Sequence, residues 1–276
     1  MAPFDKCRRQ SWELEDIDFQ AVDLALVRDD ELLFYMLASA SFVEIMSETY
    51  SSNLVAHFHG NPEAESWLQE NWQREEVQHG RALKAYVQSV WPEFDWNRAH
   101  EGFRAEYSAL CSAQQLEPSR ALEMVARCVV ETGTTTLYRA LHDYVKEPVL
   151  LRLFSNIKAD EANHYTRFRH YFEAYNRIEH HGAWAIMGAI WRRVKEIRSE
   201  DTFIAFKHVY CGRHLETSFC EHEWHRYGKM IRRYSRHYYP YSMAFKMLSK
   251  LIPLAEPFKR IWQWPLVGLA RFVSRE

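Results

Sequence analysis

Glycine and proline are scarce, with nine of each in 276 residues. Both residues punctuate turns and hairpins, so their rarity argues against a strand-rich fold, and long stretches carry apolar residues at helical rather than alternating spacing. An all-α chain is expected, forming one large domain. Charge of one sign is equally lacking: 35 Lys and Arg stand against 37 Asp and Glu, a formal net charge of −2. That balance argues against the strongly basic surface of a general nucleic-acid binder, and no nucleic acid is expected as a partner. Cysteine is sparse too. Cys7, Cys111, Cys128, Cys211 and Cys220 are odd in number and scattered, in a chain too large to depend on disulfide staples, which fits a reducing cytoplasm. No long uncharged run occurs. The longest candidate, Ala183 to Trp191, falls short of the ~20 residues that span a bilayer, and the start Met-Ala-Pro-Phe-Asp-Lys-Cys-Arg-Arg lacks the apolar run of a signal peptide. The expected location is cytoplasmic, with any membrane contact peripheral.

The few breakers that are present divide the first two thirds cleanly. A long helix is predicted from about Asp29 to Gly60-Asn61-Pro62, where Gly permits a left-handed cap and Pro cannot continue a helix. A second runs from about Glu63 to just before Pro92, and a connecting helix, Asp95 to about Gln115, crosses to the next helix pair. Ser119 suits the N-cap of a third bundle helix reaching about Tyr144, and Pro148 suits the first turn of a fourth running to about Ile178. Residues 1–180 therefore read as a four-helix bundle, and residues 181–276 as shorter helices, rich in Trp, Tyr, His and Arg, packed onto it.

An internal repeat links the two halves. Glu48-Thr-Tyr-Ser-Ser-Asn-Leu54 resembles Glu131-Thr-Gly-Thr-Thr-Thr-Leu137, and each is followed by a proline break and then a Glu-x-x-His helix. The second helix carries Glu75-Glu76-Val77-Gln78-His79, and the fourth carries Asp160-Glu161-Ala162-Asn163-His164. Residues i and i+3 share a helix face, so Glu76 with His79, and Glu161 with His164, can each reach one metal ion. With Glu48 from the first helix and Glu131 from the third, this is the ligand set of ferritin-like di-iron and di-manganese bundles. Two iron ions are expected, manganese favouring similar ligands. The neighbours of Glu131 are apolar or small (Val125, Ala126, Cys128, Val129, Val130, Gly133, Leu137), so its carboxylate would be costly to bury without a cation. Glu44, one turn before Glu48, is the alternative ligand on the first helix. Asp160 is a candidate acceptor for the free N–H of a ligand histidine.

Trp72-Gln-Arg-Glu-Glu-Val-Gln-His79-Gly80 resembles the Trp-x-x-Glu-Glu-Asn-Arg-His-Gly segment of the soluble acyl carrier protein desaturases, and Ala159-Asp-Glu-Ala-Asn-His164 resembles their Ala-Asp-Glu-Lys-Arg-His segment. The resemblance spans roughly Leu33 to Tyr175. It implies a ferritin-like bundle, often a homodimer, in which iron, dioxygen and two electrons from an external donor introduce a double bond into a carrier-bound acyl chain. It also implies a role for Thr134, because those enzymes place a threonine three residues after the third-helix glutamate. Val77-Gln78 and Ala162-Asn163 depart from the family's Asn-Arg and Lys-Arg, which leaves open another hydrophobic or small-molecule substrate. A ferroxidase and a metal-stabilised binding module are the remaining alternatives, since one fold hosts many activities.

The last third holds two further features. Cys211, His214, Cys220, His222 and His225 match no zinc spacing, and they read as surface histidines and core cysteines. From Arg226 onward cations outnumber acids, and Arg232-Arg-Tyr-Ser-Arg-His-Tyr-Tyr and Phe258-Lys-Arg-Ile-Trp-Gln-Trp-Pro-Leu-Val-Gly-Leu-Ala-Arg-Phe-Val combine them with large apolar side chains. That combination suits an acidic carrier protein or an anionic membrane interface.

Overall fold

The computed structural model describes residues 12–197, 201–254 and 257. Among them are eleven α-helices and no strand. Cys7 and the Phe258–Val273 segment lie outside the described residues. The first predicted helix is two: α1 (Glu31–Ile45) and α2 (Ser47–His57), bent by 43° at Met46. Asp30 caps α1 by accepting from the Leu33 N–H, and Gly60, at φ 91°, ends the segment as its lack of a Cβ allows. Asn61 then caps α3 (Pro62–Trp67), which continues through a π-helical turn, Leu68–Trp72, into α4 (Gln73–Val90). A π turn holds an extra residue and so rotates the helix face presented beyond it, placing the first Glu-x-x-His motif in phase with the core.

The connecting helix is α5 (Trp96–Tyr107), followed by short 3₁₀ turns. Ser119 caps α6 (Arg120–Tyr144), as its sequence position predicts, by accepting from the Leu122 N–H. Pro148 opens α7 (Pro148–Glu179), whose N-cap is the fully buried Glu147. Its carboxylate accepts from the Val149 and Leu150 N–H groups and from the Tyr86 hydroxyl, so it ties α7 to α4 at the same place. Beyond a left-handed turn at His180 come α8 (Ala183–Glu196), α9 (Thr202–Arg213), α10 (Glu221–Tyr238) and α11 (Tyr241–Ser249). Of these, α8, α10 and α11 pack on α6, and α9 packs on α1 and α5.

The chain direction of the four long segments follows from the core. One apolar cluster holds Leu33 to Met46, Ala82 to Val90, Tyr138 to Leu141 and Leu150 to Ile157. The other holds Leu54, Phe58, Leu68, Trp72, Leu122 to Cys128 and Tyr165 to Phe172. Hence α1 and α7 run from the first cluster to the second, whereas α4 and α6 run the opposite way. The pairs α1–α4 and α6–α7 are antiparallel neighbours, and α5 crosses from one to the other. On α4, α6 and α7 the stretch between the clusters carries the glutamates and histidines singled out above, and on α1 Glu44 lies at the end of the first cluster, between Phe42 and Met46. α1, apolar on all sides and almost wholly buried, suits its place between α4, α5 and α9. No single described helix is long and apolar enough to cross a membrane.

Candidate metal centre

Six side chains meet in the polar layer: Glu44 from α1, Glu76 and His79 from α4, Glu131 from α6, and Glu161 and His164 from α7. None is more than 5% exposed. They form two overlapping groups, Glu44–Glu76–His79–Glu161 and Glu76–Glu131–Glu161–His164, and within each the potential ligand atoms all lie within 4.8 Å of one another. Glu76 and Glu161 belong to both groups. A carboxylate has two oxygens and can serve two cations, whereas each histidine offers one inward nitrogen to one group.

The histidines are held by crossed contacts. His79 Nε2 lies 3.1 Å from Asp160 Oδ2, and His164 Nε2 lies 2.7 Å from Glu75 Oε2. Each acid immediately before one motif's glutamate thus serves the other motif's histidine. Donation of Nε2–H outward leaves the Nδ1 lone pair facing inward, the orientation that a metal ligand requires. Asp160 also accepts from Trp12 Nε1 at 2.6 Å. The glutamates are positioned in the same manner: Tyr138 donates to Glu44 Oε1 at 2.6 Å, Trp72 Nε1 to Glu131 Oε1 at 3.1 Å, and Thr134 Oγ1 to Glu161 Oε2 at 2.6 Å.

What remains is a set of inward atoms without hydrogen-bond partners: Glu76 Oε1, Glu131 Oε2, Glu161 Oε1, His79 Nδ1 and His164 Nδ1. Several approach one another, as His79 Nδ1 does Glu161 Oε1 at 3.1 Å and His164 Nδ1 does Glu76 Oε1 at 3.0 Å, without the alignment of a hydrogen bond. An unsatisfied buried polar atom costs ~1–3 kcal/mol, and one cation in each group would satisfy these atoms together. The donor set of hard carboxylate oxygen and imidazole nitrogen could therefore hold metal.

Electrostatics without a cation point the same way. Burial, reinforced by the charge of Glu161, pushes Glu44 and Glu76 above the usual carboxylate range and Glu131 up to about 8. Burial would raise Glu161 as well, but the close contact and charge of His79 outweigh it and hold that carboxyl at about 2. Burial would lower both histidines; the surrounding carboxylates, Asp160 and Glu161 for His79 and Glu131 and Glu75 for His164, instead raise them well above the ordinary imidazole value. Protons occupy the space between acids when no metal does.

Two assignments from the sequence are corrected. Glu48, taken as the first-helix ligand, is exposed on α2 and pairs with Arg81 at 3.4 Å; the inward glutamate is Glu44. The break at Met46 carries Glu48 away from the face that a continuous helix would have given it. Cys211 and Cys220 are likewise exposed rather than in the core, and with His214, His222 and His225 they form no potential metal group. His214 instead meets the Tyr35 hydroxyl at 3.0 Å. Sequence reading missed Glu75, Trp12, Trp72 and Tyr138. Glu75 was detectable, because it occupies in its motif the place of Asp160; Tyr138 lies two turns beyond Glu131 on the same face of α6.

Gly80 has a specific task here. A Cβ at that position would lie 2.5 Å from Ile45 Cγ1, 2.7 Å from the Ile45 backbone nitrogen and 3.1 Å from Glu44 Cβ. The glycine lets α1 approach closely enough to deliver Glu44. Gly80→Ala is therefore expected to push α1 outward, lower stability by about 1–3 kcal/mol as overpacking does, and weaken binding at the Glu44 group selectively. Denaturant melts together with metal titration would check this; an unchanged stoichiometry and stability would contradict it.

Searches against protein-family models, curated proteins and solved structures find no match to this chain, so the reading of the site rests on its own geometry.

Proposed function

We propose that the chain is a ferritin-like di-iron carboxylate protein that uses dioxygen to oxidise a hydrophobic small molecule. The observation that supports this reading is the pair of potential ligand groups that share Glu76 and Glu161; if both groups were occupied, these two carboxylates would serve both ions. The helix order supports it: four segments with one crossover, a Glu from each of two helices and Glu-x-x-His from each of the others, is the di-metal arrangement of such bundles. Glu44, Glu76 and His79 would hold one iron and Glu131, His164 and the shared carboxylates the other. A bound iron pair supplies electrons two at a time to dioxygen, a task suited to open coordination positions.

The chain's own residues would supply orientation, proton placement and access. Asp160 and Glu75 fix the imidazole tautomers, Tyr138 and Trp72 fix the terminal carboxylates, and Phe168, packed against Trp67 and Trp72, closes one flank with aromatic surface. Access is offered at α6. All six ligands are buried, yet Thr134 is only partly so, and Gly133 beside it is exposed with nothing within 4 Å of where a Cβ would be. The partly exposed edge Val130–Gly133–Thr134–Leu137 would be the approach for solvent or a small molecule, with the Thr134 hydroxyl 2.6 Å from Glu161 Oε2. Thr134 also approaches the Val130 and Glu131 carbonyls at 3.3 Å, but its one proton is best placed on Glu161. An acyl group is the substrate class favoured by the resemblance of the two motifs to the acyl carrier protein desaturases, with an external electron donor; oxidation of another small molecule fits the same geometry.

Anaerobic loading with Fe(II) is expected to give about two ions per chain, following the ligand count. Admission of oxygen should then produce the near-ultraviolet absorption of a ferric carboxylate pair, consuming dioxygen in proportion to iron. In Thr134→Val, loading should persist while more of the oxygen is released as peroxide. Binding of a single ion, or a loaded pair inert to oxygen, would overturn the proposal; unchanged peroxide release in Thr134→Val would remove that hydroxyl from it.

A further inference from the structure

We infer that Trp72, Tyr50 and Tyr107 form a one-electron outlet for the iron pair, through which Tyr107 is oxidised when dioxygen has reacted and no substrate is bound. The inference rests on the di-iron reading above. Trp72, 1% exposed, donates its indole N–H to the ligand Glu131 at 3.1 Å. The Tyr50 ring lies 6.0 Å from it, centroid to centroid. Tyr50 is on α2, and one turn later Asn53 donates to the Cys111 carbonyl at 3.0 Å, which holds α2 against the turn that follows Tyr107. Tyr107, 8% exposed, donates its hydroxyl to Asp201 at 2.9 Å. Arg127, one turn before Glu131 and paired with Glu123 at 2.8 Å, has its cation favoured by Tyr50, Glu131 and Tyr107 as well, so the file occupies one continuous region. It ends at the half-buried Cys111, whose thiol lies 3.6 Å from the Tyr107 carbonyl.

Electron balance creates the need. Dioxygen takes up four electrons and four protons to become two waters; the iron pair holds two of those electrons, and a bound substrate would give the other two. Without substrate the deficit falls on the protein. Trp72 gives one electron through its contact with Glu131 and is refilled from Tyr107 across the Tyr50 ring. As the Tyr107 phenol loses its electron, its proton passes along the hydrogen bond to the Asp201 carboxylate, leaving a neutral phenoxyl radical. Burial and the charge of Asp201 hold that hydroxyl well above the ordinary phenol value, so it keeps its proton at rest. A soluble thiol or ascorbate then returns the electron, Asp201 returns the proton, and solvent supplies the protons that dioxygen takes up. Two such steps complete the reduction. Without the Tyr107 hydroxyl the oxidation stays on Trp72, which then loses two electrons and two protons in all and gains one oxygen atom from water.

The test compares the full chain with Tyr107→Phe, which keeps the ring stacked on Phe103, and with Asp201→Asn. Each is loaded anaerobically with Fe(II), mixed with oxygen in the absence of substrate and reductant, and frozen for electron paramagnetic resonance; ring-deuterated tyrosine identifies a phenoxyl signal. Iron content and oxygen uptake, measured first, should be alike in all three. Wild type should show a phenoxyl radical that ascorbate erases, Asp201→Asn should form it several-fold more slowly, and Tyr107→Phe should lose it. Peptide mass analysis should find Trp72 oxygenated several-fold more in Tyr107→Phe than in wild type. No phenoxyl in wild type that has consumed oxygen, or an undiminished signal in Tyr107→Phe, would overturn the inference. So would an indole signal alone, which would assign the oxidised group to Trp12, stacked 6.1 Å from His79. Failure to load iron or to consume oxygen would be seen before any radical is sought, and would overturn the di-iron reading and this inference with it.

Discussion

Glu44→Ala is expected to hold one metal ion per chain, Glu48→Ala two, and Glu161→Ala none firmly. The ordering follows from which side chains are shared. Glu44 belongs to one ligand group only, and its removal leaves Glu76, Glu131, Glu161 and His164 together. Glu161 contributes to both groups, so its loss removes a donor from each and also strips His79 Nδ1 and Thr134 of their carboxylate neighbour. Glu48 faces solvent beside Arg81, where an ion pair is worth little. Metal analysis after anaerobic loading and gel filtration separates the three outcomes. A lost ion in Glu48→Ala with two retained in Glu44→Ala would mean that α1 and α2 are continuous in the loaded protein and that Glu48 is the ligand.

The second large effect is a reversal of pH dependence between metal-free and loaded protein. In the metal-free state Glu131 is raised to about 8, Glu44 and Glu76 lie above their usual range, and both histidines lie well above theirs, burial and neighbouring charges being the causes given above. Groups whose pKa is raised on folding bind more protons in the native state than in the unfolded one. Their contribution is complete below the unfolded value and is lost as pH climbs through the folded value. Glu161, at about 2, has the opposite sign, but its contribution is lost only as pH falls through that value, well below the range of interest. The melting temperature of metal-free protein should therefore fall between pH 5 and pH 8, through the window set by the ordinary carboxylate value and by Glu131. Metal ions displace those protons, so binding should release protons and tighten as pH rises. Calorimetric melts at both pH values, with and without metal, provide the measurement. A metal-free protein that gains stability over that interval would show that the buried acids are not protonated together.

Much of the fold and most of the centre were legible without coordinates because they depend on local rules. Ser119, Pro148 and Gly60 mark helix ends through hydrogen bonds and backbone restrictions spanning a few residues, and the structure has ends there. The Glu-x-x-His spacing places two side chains on one face of any helix, and the structure brings Glu76, His79, Glu161 and His164 to one layer, with Glu131 beside them. Asp160 accepts from a histidine of that layer, although the partner is His79 on α4 rather than its own motif's His164.

That crossing, and the choice between Glu44 and Glu48, required the tertiary structure. Glu44 and Glu48 would share a face on an unbroken helix, and the internal repeat pairs Glu48 with Glu131. What separates them is the bend at Met46, which no glycine or proline announces. Just ahead of the bend, Gly80 admits Ile45 and Glu44 against α4, and that approach depends on how α1 lies across α4. By itself, the sequence determined that the helices exist, where most of them end, and that paired carboxylates and histidines share their faces, because caps and periodicity act within one or two turns. Only the packing of one helix on another decided which first-helix glutamate turns inward and which acid holds which histidine, because those outcomes depend on distances between segments that no local rule contains.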